Sequence, residues 1–441
     1  RTPSYYLLSV LDAMEGGQHE YEDLEKSPAI TRIPLSRRFP RDRSRSLTEA
    51  EFDGCSILAA TASGDPAEIA YLLGEGSPIE PRLAMEEARW ENNFFTVYDG
   101  AVTSPECRRA AQELAGITRD GTAPGRSVGA TALEDYARCP FRYFMRHVLG
   151  VEPLEELGTE LGLTPRERGS LYHIVLEQFM KRMREQGALP LRPDPEHVAL
   201  IRKIAAEALR SPDWSLAGLW GALGLVLREV TRRLALWYAA ESRGADEFVP
   251  SYFESRFGGR PRPGDDPELS LDRPLSFQAL GGVEIDFTGK IDRIDLTPDG
   301  CRARVIDYKT GSPDSGKSRR LDRGRRLQLP VYMLAAERML AAADRKADVE
   351  SAEYRYVTSG SDARLTFTDD DLSESIDDLK RAIGYIVKGI AEGMFPCIPP
   401  DQRCASCDFV EACGPTALPL ALMKYGDPRA APFVQGLAEI R

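Results

Sequence analysis

Apolar residues change their period near the middle of this chain. TALEDYARCPFRYFMRHVL (131–149) has helical apolar spacing, and Pro140 within it marks a helix start or a kink. ERGSLYHIVLEQFMKRMREQ (167–186) sets Leu171, Val175, Leu176 and Phe179 on one face and reads as an amphipathic helix. Two more helical stretches follow near 196–210 and 217–242. The texture then becomes strand-like. VEIDFTGKIDRIDL (283–296) and CRARVIDY (301–308) flank TPDG, a strong turn signal. LQLPVYMLAAERMLAAA (327–343) returns to helix, AEYRYVT and RLTFT read as short strands, and 373–392 as a further helix. Helices before, between and after a hairpin predict a mixed α/β core in a helical surround. GTAPGRSVG (121–129) reads as a linker by its Gly, Pro and Ser content. Residues 1–80 mix short apolar runs with the polar SRRFPRDRSRS and give no strand or helix order.

Composition narrows the class. At 441 residues, two or three domains are expected, and 42% apolar content supplies ample core. Apolar stretches such as LGLVL (223–227) are far below the roughly 18 residues that cross a bilayer. No charged-then-apolar leader opens the chain, so a cytoplasmic protein without membrane association is expected. Its first residue is Arg1 rather than Met, which points to a piece of a longer protein. The net charge of −12 argues at first against a nucleic-acid partner. Local basic runs weaken that argument: Arg37, Arg38, Arg41, Arg43 and Arg45, and then Lys317, Arg319, Arg320, Arg323, Arg325 and Arg326. Solvated loops are the bland reading of both.

IDYKTG (306–311) carries the candidate chemistry. On a strand, Asp307 and Lys309 share a face, while Ile306 and Tyr308 point the other way. If Pro298–Asp299 is a two-residue hairpin loop, Thr297 opposes Gly300, and Asp292 opposes Val305 as a diagonal neighbour of Asp307. Two carboxylates and a lysine then converge. Carboxylates suit Mg²⁺ or Mn²⁺, whose charge polarises a phosphoryl oxygen and activates water beside an ammonium. By spacing alone, a surface Asp/Lys pair on a solvated strand face is the commoner reading.

The surrounding residues shift that balance. GKIDRID, IDYKTG, GSLYHIVLE and LQLPVY resemble the motifs of the RecB-like branch of the PD-(D/E)xK nuclease superfamily. The resemblance implies a restriction-endonuclease-like fold: a mixed central sheet flanked by helices. It makes Asp292 and Asp307 metal carboxylates, Lys309 the catalytic lysine and His173 a further metal ligand. Gln328 and Tyr332 match a downstream helix motif near the active site and DNA. Glu177, one turn from His173, reads as structural.

Cys404, Cys407 and Cys413 crowd into RCASCDFVEACG. Three soft thiolates imply zinc or an iron–sulfur cluster, and no histidine follows Cys397 to complete a local zinc site. The fourth ligand is therefore Cys397 or distant. Here the chain is similar to the B-type component of AddAB-type helicase–nucleases, whose upstream single cysteine is matched by Cys139 in ARCPFRYF. That likeness implies a [4Fe–4S] cluster on Cys139, Cys404, Cys407 and Cys413, with Cys397 left as a small core residue.

The likeness covers 131–415 as a nuclease domain, with 81–130 as linker and lead-in and 416–441 as a C-terminal extension. NNFFTVYDGAV resembles the stretch preceding such domains, and by analogy residues 1–80 are the tail of an inactive helicase-like region. It implies a metal-dependent DNA nuclease, an exonuclease, in a helicase–nuclease of double-strand break repair, with DNA and a helicase subunit as partners. A non-catalytic iron–sulfur scaffold is the rival. A third reading comes from GSPDSGKS (311–318), which fits the P-loop pattern. RRLDRGRR follows it, however, where a P-loop needs an amphipathic helix.

Overall fold

The computed structural model describes the chain apart from residues 1–4, 31–38, 41, 75, 76, 78, 153–162, 213, 215–219, 245, 246, 314–319, 360–362, 399–403, 405, 406 and 441. It divides into two units, Arg1–Ala88 and Arg89–Arg441. Within the smaller unit, Leu8, Leu11 and Leu24 make a small apolar cluster. The helix Glu49–Ser63 there is capped by Thr48, which accepts the Glu51 N–H at 3.2 Å. Of the first basic run, Arg37, Arg38 and Arg41 lie outside the described residues, and Arg43 pairs with Glu68.

The larger unit contains the helices α1 (Ala130–Arg138), α2 (Pro165–Glu185) and α3 (Trp220–Glu241) ahead of its main sheet. Thr164 and Glu167 form a reciprocal capping box ahead of α2, with Pro165 as its first residue. Three strands follow, β1 (Val249–Phe257), β2 (Gly289–Leu296) and β3 (Arg302–Lys309). Next come α4 (Gln328–Ala342), β4 (Asp348–Tyr356), β5 (Arg364–Thr368) and α5 (Asp369–Ala391). The strands lie side by side in chain order. All neighbours are antiparallel except β3 and β4, which run parallel. A parallel pair needs a crossover, and α4 supplies it. This is the mixed sheet with helices on both faces that the resemblance implied.

The two faces bury different material. Val305 of β3 and Ile294 of β2 pack with α4 and α5. Ile306, Tyr308 and Phe253 pack with α2 and α3. This second side also holds a buried charge seam. Arg293 donates to Asp295 at 2.8 Å and to Glu241 of α3 at 2.6 Å. Arg304 reaches Asp295 at 2.9 Å, and Arg355 reaches Glu241 at 2.9 Å and Glu353 at 3.0 Å. Three guanidiniums thus face three carboxylates, the balance that makes buried charge tolerable.

Two details depart from the sequence reading. The run 283–296 is two strands, since Glu284–Phe287 joins a small sheet and Gly289–Leu296 the main one. Thr288 marks the switch, its hydroxyl donating to the Phe257 carbonyl at 2.9 Å. The 121–129 stretch, expected as a linker, instead contributes Gly121–Thr122 to that small sheet, and the Val128 N–H donates to the Asp286 carbonyl at 2.9 Å. As expected of Pro140, helix 131–149 is interrupted: Cys139 is extended (φ −169°, ψ 117°), and Pro140 starts the next turn.

Candidate active site

The β2–β3 hairpin carries the acidic groups. Its turn is longer than two residues, because Thr297 pairs with Arg302 and the Asp299 carboxylate accepts both the Thr297 hydroxyl and the Cys301 N–H. The ladder pairs Ile294 with Val305 and Arg293 with Ile306. This register is two residues from the one expected, and a shift of two preserves the face. Asp292 and Asp307 thus stay on the same side, and each is more than nine-tenths buried. Asp292 Oδ2 accepts the Tyr308 N–H at 2.7 Å, which clamps its carboxylate to β3.

Two further elements bring groups to Asp292. His173, on α2, places Nδ1 3.4 Å from Asp292 Oδ1. Glu254, on β1, completes a trio in which one donor atom from each residue lies within 4.8 Å of the others. Glu254 is buried with φ 59°, an unusual backbone for a non-glycine residue. It pairs with Lys290 at the start of β2. Glu177, in contrast, is committed to Lys181 at 2.7 Å.

Lys309 stands at the other end of the centre. Its ammonium lies 2.6 Å from Asp307 Oδ2, donates to Gln328 Oε1 at 2.9 Å and sits 4.5 Å from the Tyr354 ring centroid. Gln328, the first residue of α4, returns its amide N–H to Asp307 Oδ1 at 2.8 Å. One amide therefore holds both partners of the ion pair. Tyr332, one turn on, is buried, and its ring packs edge-on to Phe257 at 5.9 Å. Gly289 lies beneath these rings: a Cβ there would stand 2.8 Å from Phe257 and 3.0 Å from Tyr332.

The centre is electrostatically strained. Burial, reinforced by Asp292, pushes the Glu254 carboxyl up to about 7. Burial also drives Asp307 up to about 6, against the pull of Lys309. His173 is opposed by burial, yet the carboxylates of Asp292, Asp307 and Glu254 carry it up to about 9. Asp307 Oδ2 is sealed from solvent and meets no directed hydrogen-bond donor, only the nearby ammonium of Lys309. The carboxylates of Asp292 and Glu254 beside the His173 imidazole fit a divalent cation.

The PD-(D/E)XK nuclease superfamily profile matches residues 127–414, a span that contains every one of these groups. The chain belongs to this superfamily. Three relatives carry the name of the B-type component of an ATP-dependent helicase/deoxyribonuclease. That of Moorella thermoacetica is 28% identical over 326 residues, covering 72% of this chain and 27% of the relative. That of Acetivibrio thermocellus is 29% identical over 274 residues, 59% of this chain and 22% of the relative. That of Alkaliphilus metalliredigens is 30% identical over 227 residues, 49% and 18%. The chain thus spans about a quarter or less of the length of these relatives.

In PD-(D/E)XK terms the hairpin supplies Asp292, Asp307 and Lys309, and α4 supplies Gln328 and Tyr332. Sequence reasoning missed Glu254. SYFESRF offers no spacing signal, and only the pairing of β1 with β2, Phe253 opposite Arg293, brings Glu254 to the trio. Asp307, expected with His173 and Asp292 as a ligand, meets Lys309 and Gln328 with its oxygens, and Glu254 joins His173 and Asp292 in the trio.

A second cluster is built from thiols. Cys139 caps the C-terminus of α1, and the Cys397 thiol and three backbone N–H groups hold it down at about 7 against burial. Cys397 donates to Cys413 Sγ at 3.6 Å. Burial raises the Cys404 thiol, helped by Cys139, Cys413 and Cys407. Cys397, expected as a small core residue, thus touches two of the expected cluster thiols, Cys139 and Cys413. Phe144 and Phe395, 4.8 Å apart, lie near Cys139 and Cys397 in sequence. Soft sulfur donors without histidine fit iron–sulfur or zinc chemistry.

The P-loop-like segment falls largely on residues 314–319, outside the described residues, as do Lys317 and Arg319. After it, Arg320 is bound to Asp371 at 2.7 Å and Arg325 to Asp322 at 2.8 Å. A short turn, Asp322–Gly324, precedes α4 at Gln328, so among the described residues no α-helix N-terminus follows the Gly-Lys-Ser directly.

Proposed function

We propose that this chain is the nuclease portion of the B-type component of a helicase–nuclease, cleaving phosphodiester bonds of DNA as an exonuclease with Mg²⁺ or Mn²⁺. The observation that carries this reading is the intact centre of buried Asp292 and Asp307 with Lys309 paired to Asp307, within a PD-(D/E)XK match. His173, Glu254 and Asp292 would hold the cation, with Asp307 alongside. When bound, the cation supplies Lewis-acid polarisation of the phosphoryl oxygen and a more acidic water. Lys309 places its ammonium where charge develops on the scissile phosphate. Gln328 fixes Lys309 and Asp307 in one orientation, and Tyr332 and Phe257 wall the centre off beneath. Asp292, clamped by the Tyr308 N–H, keeps its second oxygen directed at His173.

The partners that follow are DNA and an AddA-like helicase subunit, the role that the names of the relatives carry. Cys139, Cys404, Cys407 and Cys413 would carry a [4Fe–4S] cluster as a structural clasp between the segment before the nuclease core and the one after it. Incubation with end-labelled linear DNA tests the catalytic claim: cleavage in Mg²⁺, none in EDTA, and none for Asp307→Ala. Equal cleavage by Asp307→Ala would remove the assignment. Anaerobic purification tests the cluster, with about four irons per chain and a broad band near ~400 nm expected. Zinc in place of iron would refute it.

A further inference from the structure

Glu134 stands outside the trio of His173, Glu254 and Asp292, yet it is one of the most completely buried acids in the protein, 3% exposed. It lies on α1, roughly two hundred residues from α4 in sequence, and its Oε1 accepts the backbone N–H of Leu327 at 2.8 Å and of Gln328 at 2.9 Å. The first turn of a helix has N–H groups without intrahelical partners, and α4 carries no side-chain cap of its own. Glu134 supplies that cap from another element. Its second oxygen pairs with Arg138 at 3.0 Å, so the carboxylate direction is fixed. Gln328 is the residue whose amide bridges Lys309 and Asp307. Whatever sets the Gln328 backbone therefore sets the Lys309–Asp307 geometry. Arg138 is followed directly by Cys139, so the same helix ends in the thiol cluster.

We propose that Glu134 is a positioning residue of the nuclease centre: from the helix that ends at Cys139 it caps α4, aims Gln328, and so aligns Lys309 with Asp307. This inference rests on the nuclease reading above. It also gives a physical route from the thiol clasp to the reacting groups, through one helix turn and one carboxylate.

The test uses the full chain with Glu134→Ala, Glu134→Gln and Glu134→Asp, and Asp307→Ala as the control. Three quantities are read: iron content, affinity for duplex DNA in Ca²⁺, and single-turnover cleavage in Mg²⁺. Glu134→Ala is expected to keep iron and DNA affinity while cleavage slows about tenfold to a hundredfold, the range for loss of a residue supporting a metal site. Glu134→Gln retains the accepting Oε1 and should recover most of the rate. Glu134→Asp, one methylene shorter, should not. A wild-type rate in Glu134→Ala, with Asp307→Ala inactive, overturns the proposal. So does a parallel fall of iron, affinity and rate that Glu134→Gln fails to rescue, because that is a purely structural role. A wild-type rate in Asp307→Ala would instead sink the nuclease reading itself.

Discussion

Replacing Asp307 by Asn should make the metal-free protein more stable while abolishing cleavage. Asp307 is 4% exposed and shares its site with the carboxylates of Asp292 and Glu254. Burial lifts its carboxyl from 3.8 to about 6, so keeping it ionised at pH 7 costs the folded state about 3 kcal/mol. Asparagine removes that charge and keeps Oδ1 as acceptor for Gln328, now 2.8 Å away. The pull of Lys309, whose side chain is 34% exposed, is already included in that net shift. A gain of up to about 3 kcal/mol follows, read as a higher urea midpoint in EDTA at pH 7. The sign of the pH dependence is fixed as well. A carboxyl with a raised folded pKa destabilises above that pKa, and the penalty fades as pH falls from about 6 to 3.8. The advantage of Asp307→Asn should therefore vanish near pH 4. A variant less stable than wild type at pH 7, or a gain unchanged at pH 4, would refute the reasoning.

Other outcomes are equally direct. Serine at Cys139, Cys404, Cys407 or Cys413 should cost the iron, whereas Cys397→Ser should retain about four irons per chain, because a cubane takes four thiolates; iron loss in Cys397→Ser would make it a ligand. His173→Ala should weaken Mn²⁺ binding about tenfold to a hundredfold without unfolding the chain, measured by Mn²⁺ EPR. Burial opposes ionisation of Glu241, yet Arg293 and Arg355 hold it down at about 2, so its stabilisation is present above 4.5 and lost as pH falls toward 2. That amounts to about 3 kcal/mol, and urea unfolding of Glu241→Gln should show a flatter acid profile than wild type.

Much of the site was legible because its residues sit on regular elements with short-range signals. Asp307 and Lys309 share a face by strand period alone, and the apolar spacing of GSLYHIVLE marks the helix that carries His173. Hairpin parity survived an error in the turn: the Asp299 side chain stabilises a loop two residues longer, which moves the register without flipping faces. What was hidden depends on long-range pairing. Glu254 reaches the trio only because β1 lies beside β2, and Glu134 caps a helix some two hundred residues away. Cys397 looked like filler because its sequence neighbours are apolar, while its sulfur partner is Cys413. The split of 283–296 between two sheets has the same origin, since alternation does not say which strand a segment pairs with.

The most direct test of the central claim is single-turnover cleavage of end-labelled linear DNA in saturating Mg²⁺ by wild type and Lys309→Ala. Lys309 is placed to stabilise transition-state charge, so its loss should slow cleavage about a hundredfold or more with Mn²⁺ affinity retained. Cleavage by Lys309→Ala at the wild-type rate would contradict the role given to this centre.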